Sequence, residues 1–397
     1  MKFIDLFSGI GGFRSALELS GHECIAYSEI DKYAKQSYQA IYDTENEIDL
    51  GDITEISQEY LSRFKEENDI VVGGSPCQSF SLAGSRKGFE DTRGTLFFEY
   101  AKVVKETQPK YFLFENVKGM MSHDKGNTIR VVLETFNELG YYIDFNVFNS
   151  KYYGVPQNRE RIYILGKRKD LVEQPKYHDK TKGKKKFDEI HNWAVDNINY
   201  VELLPPLQTE VTTRLIDVLE DEVDEKYYLS EEKTKKLTLD FSLTSQDKHG
   251  IAVREATKQG YAIAEQGDSV NFSFPDSKTR RGRVGKQVAQ TLQAGEVNQG
   301  VVIGVGHHPF SKKREFNGYG LICPTLIAGD YKAPKTALTN DLRIRKLTEK
   351  ECWRLQGFTD EQFHKAKDSG VSKSQLYKQS GNSVTVNVVD AIVKELK

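Results

Sequence analysis

The chain has 397 residues, 38% of them hydrophobic and 29% charged, which excludes a disordered polypeptide and allows two or three folded domains. No run approaches the roughly 20 apolar residues that cross a bilayer, and Met1–Leu6 lacks a leader-like apolar stretch, so a cytoplasmic protein away from membranes is expected. A net charge of −2 gives no whole-chain attraction for nucleic acid, and Cys24, Cys77, Cys323 and Cys352 are scattered without metal-site spacing, so neither a disulfide framework nor a metal is expected.

From the N-terminus, apolar runs alternate with amphipathic stretches, the pattern of βαβ units around a parallel sheet. Lys2–Phe7 reads as a buried strand, and Gly12–Ser20 as a helix closed by Gly21. Cys24–Glu29 is a second strand, after which Asp31 is placed to cap a helix running to Tyr42. Asp69–Val72, Tyr111–Phe114 and Arg161–Leu165 read as further strands, with helices over Thr95–Glu106 and Asn127–Leu139. From Lys167 a lysine-rich, poorly periodic stretch suits an exposed linker and a domain boundary. Residues 191–344 show short, Gly-rich, β-like segments without βα alternation. Gln290–Gly295 echoes Pro324–Gly329, too short a match to make a repeat architecture. Near Leu347 regular structure resumes with a capping box over Thr348–Glu351, and a last helix aligns Val384, Val388, Ile392 and Leu396. The chain thus divides into 1–190, a smaller 191–344, and 345–397 returning to the first part.

Four constellations carry chemistry. Asp5–Phe13 turns from strand to helix through glycines that let backbone approach a ligand, though not in the dinucleotide spacing. With Glu29, placed for ribose hydroxyls, and the turn Gly51-Asp52-Ile53, it points to a nucleoside cofactor. Gly73–Ser81 follows a strand and sets Cys77 among glycines and polar residues, where a thiol is exposed; Cys24, Cys323 and Cys352 read as small buried hydrophobes. Phe112-Leu113-Phe114 delivers Glu115 and Asn116 at another strand end, where a carboxyl is an acid or hydrogen-bond candidate. In Gly154–Arg161, Arg159 and Arg161 alternate, so that both guanidiniums share one face, suited to a phosphate or base edge and equally to salt bridges.

In this order the motifs resemble the cytosine-5 DNA methyltransferase family of bacterial restriction-modification type, over Phe3–Gly12, Glu29–Ala34, Gly51–Ile53, Gly73–Phe98, Phe112–Met120, Tyr152–Gly166, Arg345–Phe358 and Gly381–Val384. The resemblance implies an α/β, Rossmann-like S-adenosylmethionine-dependent methyltransferase domain over 1–190, a mostly β or irregular target-recognition domain over 191–344, and a hinge and return over 345–397. It implies methyl transfer to C5 of a flipped cytosine in a short duplex sequence, through a covalent adduct of Cys77 with C6, assisted by Glu115, Asn116 and Arg161. For S-adenosylmethionine it implies Phe7, Gly9, Gly11, Glu29, Ile30, Asp52, Ile53, Pro76, Leu96, Asn382 and Val384. For DNA it implies Gln78, Ser81 and Arg93 on a closing loop, with Gln157 and Arg159 beside the flipped base. Ala83 stands where some relatives insert a serine. In the recognition domain, Arg281 and Arg283 belong to the basic stretch Ser277–Arg283, and Thr325-Leu326 matches a Thr-Leu pair near DNA better than its earlier echo. Implied partners are double-stranded DNA and, where one exists, a restriction endonuclease acting on the same site, for a monomeric, DNA-associated enzyme of bacterial or phage origin. The competing readings are a tRNA cytosine-5 methyltransferase, disfavoured by the long variable region, and a noncatalytic DNA-binding protein on the same fold, disfavoured by the joint presence of Cys77, Glu115 and Arg161.

Overall fold

The computed structural model describes residues 1–76, 96–239, 250–295, 297–307, 315–317 and 341–396. Its main sheet is built from β1 (Lys2–Leu6), β2 (Glu23–Ser28), β3 (Ile48–Asp49), β4 (Ile70–Gly73), β5 (Tyr111–Val117), β6 (Tyr141–Asn149) and β8 (Glu160–Arg168), with the short β7 (Gln157–Asn158) lying outside it. The order is β3-β2-β1-β4-β5-β8-β6, parallel except that β8 runs antiparallel to both neighbours.

Alternating residues of these strands feed two cores, as a sheet covered on both faces requires. On one face Ile4, Leu6, Val71, Phe112 and Phe114 pack against α3 (Gln58–Ser62), α4 (Leu96–Thr107) and α5 (Asn127–Glu138). There Phe112 stacks on Phe136 with ring centroids 4.0 Å apart. On the other, Phe3, Val72 and Leu113 meet α1 (Gly12–Leu19), α2 (Lys32–Ile41) and the C-terminal helix over Val386–Val393, so the end of the chain closes the core opened by its beginning. Asp31 caps α2 as the sequence suggested, its Oδ1 accepting from the Tyr33 and Ala34 amides.

Two segments depart from the sequence reading. The strand β6 went unread although Tyr141, Ile143 and Phe145 alternate into the core, because Asp144 and Asn146 interrupt the apolar run. The lysine-rich stretch is not a linker but the entry to a helix, Lys186–Asn197, whose Ile190 and Ala194 join Tyr200 in the first core. Thr181 and Lys185 fasten that entry through Asp188 and Asn192, and the buried Asp144 carboxylate accepts the Leu203 and Leu204 amides. The boundary expected at 190 therefore falls inside a core helix, and the first lobe continues to about residue 204.

The second lobe begins beyond that point. A hairpin of β9 (Gly250–Arg254) and β10 (Tyr261–Glu265) stands beside a sheet ordered β12 (Val284–Gly285), β11 (Ser269–Asn271), β14 (Gln299–His307), β15 (Glu315–Asn317), with β16 (Asp341–Lys346) also on β14. The expected third segment from 345 thus starts within the second lobe's last strand. Between β12 and β14, β13 (Ala289–Gln290) pairs with β7, joining the lobes through main chain. The capping box forms, with Glu351 accepting from the Thr348 amide and Thr348 from that of Glu351. Glu351 also receives both Arg345 guanidinium nitrogens in a fully buried pair.

Candidate active site

The strand register assembles the site. Ser28, Leu6, Gly73 and Phe114 are cross-strand partners in successive parallel pairs. The following residues, Glu29, Phe7, Gly74 and Glu115, therefore leave the sheet side by side at its carboxyl edge. Between β1 and β4 the strand order reverses, the place where open α/β sheets hold ligands.

On the β1 side, Phe7 and Gly9 adopt left-handed backbone, with φ of 53° and 58°. A Cβ on Gly9 would meet nothing within 4 Å, so its bare backbone faces open space. Its amide donates to Glu29 Oε2 at 2.8 Å and that of Asp31 to Oε1 at 2.7 Å, which fixes the carboxylate. Ile30 beside it is 71% exposed, an apolar surface offered outward. Asp52 caps the next turn by accepting from Thr54. Ile53 is buried under it, and the hydroxyls of Ser8 and Ser75 are buried without partners among the described residues. Open backbone, a held carboxylate and spare buried hydroxyls fit a nucleoside ligand. At Gly11 a Cβ would lie 2.3 Å from the Tyr42 ring, so packing also requires glycine at that position. Val384 reaches the same turn from the C-terminal segment, lying against Gly12, and Asn382 is exposed just before it.

On the β4 and β5 side, Glu115 is 9% exposed and its Oε1 lies 3.0 Å from Arg161 Nε. Burial raises its carboxyl above the ordinary glutamate range, while the guanidiniums of Arg161 and Arg159 pull it back. A Cβ on Gly74 would stand 2.6 Å from Glu115 Oε2, so only glycine lets the segment cross this carboxyl so closely. Asn116 is buried and pins that segment, its Nδ2 donating to the Ser75 carbonyl at 2.9 Å. Pro76 is exposed at the last described position before 96, and Leu96 is half-buried at the start of α4. Cys77, Gln78, Ser81, Ala83, Arg93, Cys323, Thr325 and Leu326 lie outside the described residues.

Residues 1–397 match the C-5 cytosine-specific DNA methylase family from end to end. The chain belongs to that family. It is 40% identical to the orphan methyltransferase M.SPRI of Bacillus phage SPR, covering all of this chain and 97% of that protein. It is 33% identical to the type II methyltransferase M.HhaI of Haemophilus parahaemolyticus, over 99% of this chain and 93% of the other. Among solved structures it shares its fold with the S. pombe Dnmt2 methyltransferase, at TM-score 0.56 and 19% identity over 100% of this chain and 97% of that one.

The methylase's two lobes meet along Gln157–Arg159, and here the structure corrects three expected DNA contacts. Gln157 is fully buried, donating to the Leu355 carbonyl and accepting from the Leu292 amide. Arg159, 2% exposed, gives its guanidinium to the carbonyls of Leu292, Gly381 and Ser383. Burial pushes that guanidinium down to about 9, which still leaves it charged at neutral pH. Arg283, 1% exposed, is spent on carbonyls of its own loop. Alternation alone could not separate Arg159 from Arg161, because it gives a face and not what covers the face. Arg281 is exposed, its Nε on the Ala256 carbonyl. Of the two Thr-Leu pairs, Thr291-Leu292 lies within the described residues and is docked on the first lobe, Thr291 Oγ1 donating to the Asn158 carbonyl at 2.7 Å. A cleft of about 630 Å³ runs along this seam, lined by Lys151, Asn158, Asn271, Arg280, Lys286 and Gln290 among others. None of its described lining residues is acidic. Lys151 and Lys286 were not singled out in the sequence, being far apart and outside any basic run.

Proposed function

We infer that this DNA methylase moves the methyl group of S-adenosylmethionine to C5 of a cytosine turned out of duplex DNA, with Cys77 as nucleophile. The observation that supports this best is the register row setting Glu29, Phe7, Gly74 and Glu115 side by side. The β1 half would hold the cofactor, through the open backbone at Gly9, the fixed Glu29 carboxylate, the Phe7 ring and the exposed Ile30. When bound, the cofactor supplies an electrophilic methyl group.

The remaining chemistry belongs to the chain. C5 of cytosine is a poor nucleophile until a thiolate adds at C6. Cys77 follows Pro76 on the segment that Asn116 pins, one residue beyond the described stretch over Glu115. As its sulfur bonds to C6, Glu115 gives or shares a proton at N3, and the electron pair gathers at C5. After C5 is methylated its proton passes to water, the electron pair left behind re-forms the C5–C6 double bond and expels the Cys77 thiolate, and N3 returns its proton to Glu115. Arg161 keeps Glu115 in place and opposes the effect of burial. Extruding the base costs a few kcal/mol, and the second lobe, residues 205–346, would supply contacts that offset this and read the flanking bases.

Bisulfite sequencing of DNA from cells expressing the protein, in a host without cytosine-5 methylation, tests the reading. Protection of one cytosine within a single short sequence is expected; DNA left unprotected throughout by a well-expressed protein would contradict it.

A further inference from the structure

The loop Phe272–Arg283 joins β11 to β12, and it is held with unusual economy for a surface turn. The buried Arg283 guanidinium donates to the carbonyls of Asn271, Ser273 and Phe274 at 3.0, 2.9 and 2.7 Å. Glu255 Oε1 accepts the Arg283 and Val284 amides, and the Ala256 amide donates to the Arg280 carbonyl. At the centre of this arrangement Phe274 has a φ of 49°, left-handed backbone that bulky side chains rarely adopt, yet its ring is 75% exposed. An arginine buried to hold an aromatic residue outward makes no sense for packing, since the ring contributes to none of the described cores.

The residues around the ring set its chemical setting. Asn271, Arg280, Gly282 and Val284 from the two ends of the loop line the seam cleft, together with Lys151 and Asn158 of the first lobe. Lys278 and Arg281 are exposed on the same loop, against one acidic residue, Asp276. The loop is thus apolar at one exposed point and cationic around it, and its two ends line the cleft on the seam between the lobes. That combination suits phosphates flanking a groove with an apolar group inside it.

We propose that Phe274 is a specificity residue of this methylase, its ring packing on the 5-methyl group of a thymine in the major groove near the target cytosine. The proposal rests on the reading of residues 205–346 as the DNA-reading lobe. Deoxyuridine lacks only that methyl group, which makes the contact testable one atom group at a time. In a duplex carrying the mapped site and three flanking pairs on each side, each thymine is replaced in turn by uracil, and binding is followed by fluorescence anisotropy. Wild-type protein should lose about fourfold in affinity at one thymine, the effect of one methyl group withdrawn from an apolar contact. Phe274→Ala should bind the parent duplex more weakly by at least as much, be indifferent to uracil at that position, and melt with the wild type. Phe274→Asn, suited to left-handed backbone, should behave as the alanine variant does. Equal affinity of both variants and wild type for the parent duplex, or an unchanged uracil penalty in the variants, overturns the proposal. Arg280→Ala separates the two levels of failure: weakened binding there with none at Phe274 removes this contact alone, whereas no effect at either removes the lobe's assignment as well.

Discussion

Glu115 is held between two opposed influences, burial that favours its neutral form and the Arg161 and Arg159 charges that favour its carboxylate. As a donor to N3 it must carry its proton, which it does below its raised pKa and loses as pH rises through it. Glu115→Gln, which can donate a hydrogen bond but not a proton, should lower the single-turnover rate by roughly 100-fold. Arg161→Met removes the nearer cation, so the pKa rises further and the falling limb of the rate–pH profile should shift to higher pH, on a lower plateau. A limb that stayed in place would show that Glu115 is not the group titrating. The cysteines sort themselves in the same terms: Cys24 and Cys352 are buried, and burial pushes both thiols up, which suppresses the thiolate that a nucleophile needs. Single residues were legible where a motif isolates them, as for Glu29 and Glu115. They were misread where burial decides the role: the same guanidinium that could grip a phosphate is, at Arg159 and Arg283, closed on main-chain carbonyls.

At the scale of elements, the site is made by strands ending together and by turns narrow enough to pass over them. Gly74 is the tightest of these crossings, and Gly74→Ala should push the segment off Glu115, since the added carbon would stand 2.6 Å from a carboxyl oxygen and 3.1 Å from the main-chain oxygen. A shift of about 1 Å in a catalytic group costs up to roughly 100-fold in rate. Activity should therefore fall about tenfold or more while thermal melting moves little, because the segment lies at the edge of the core; unchanged kcat with lowered stability would make the crossing merely structural. The strands β2, β4 and β5 were readable because each is an apolar run ended by glycine or a carboxylate, and the α2 and Thr348 caps because their side chains satisfy orphan amides locally. The strand β6 was not, since its polar residues have distant partners: Asp144 meets amides some 60 positions away. The helix Lys186–Asn197 was hidden for a related reason, its entry being fastened by Asp188 and Asn192 rather than announced by a strong apolar stripe.

For the whole molecule, the correction to the lobe boundary has a practical consequence. Exchanging residues 205–346 for those of a relative with another site should move the methylation pattern to the donor's site. Exchanging 191–346 should also replace Ala194 and Tyr200 in the first core and the amides bound by Asp144, and so lower the melting temperature and yield of folded protein. Bisulfite patterns and melting curves of the two chimeras check this, and equal stability of both would restore the boundary to 190. The lobes are also tied through β7 and β13 and through Arg159, so a working exchange must keep the main-chain course at 292 that presents its carbonyl to that guanidinium. These ties join residues more than 130 positions apart, and no local pattern in the sequence announces them. The central claim is the covalent route, and it is tested most directly with duplex DNA carrying 5-fluorocytosine at the mapped target. Fluorine cannot leave C5 as the proton does, so incubation with S-adenosylmethionine should trap a protein–DNA adduct stable to denaturation, and peptide mass spectrometry should find it on Cys77. An adduct on Cys24, Cys323 or Cys352, or no adduct under conditions where unmodified duplex is methylated, would contradict the account.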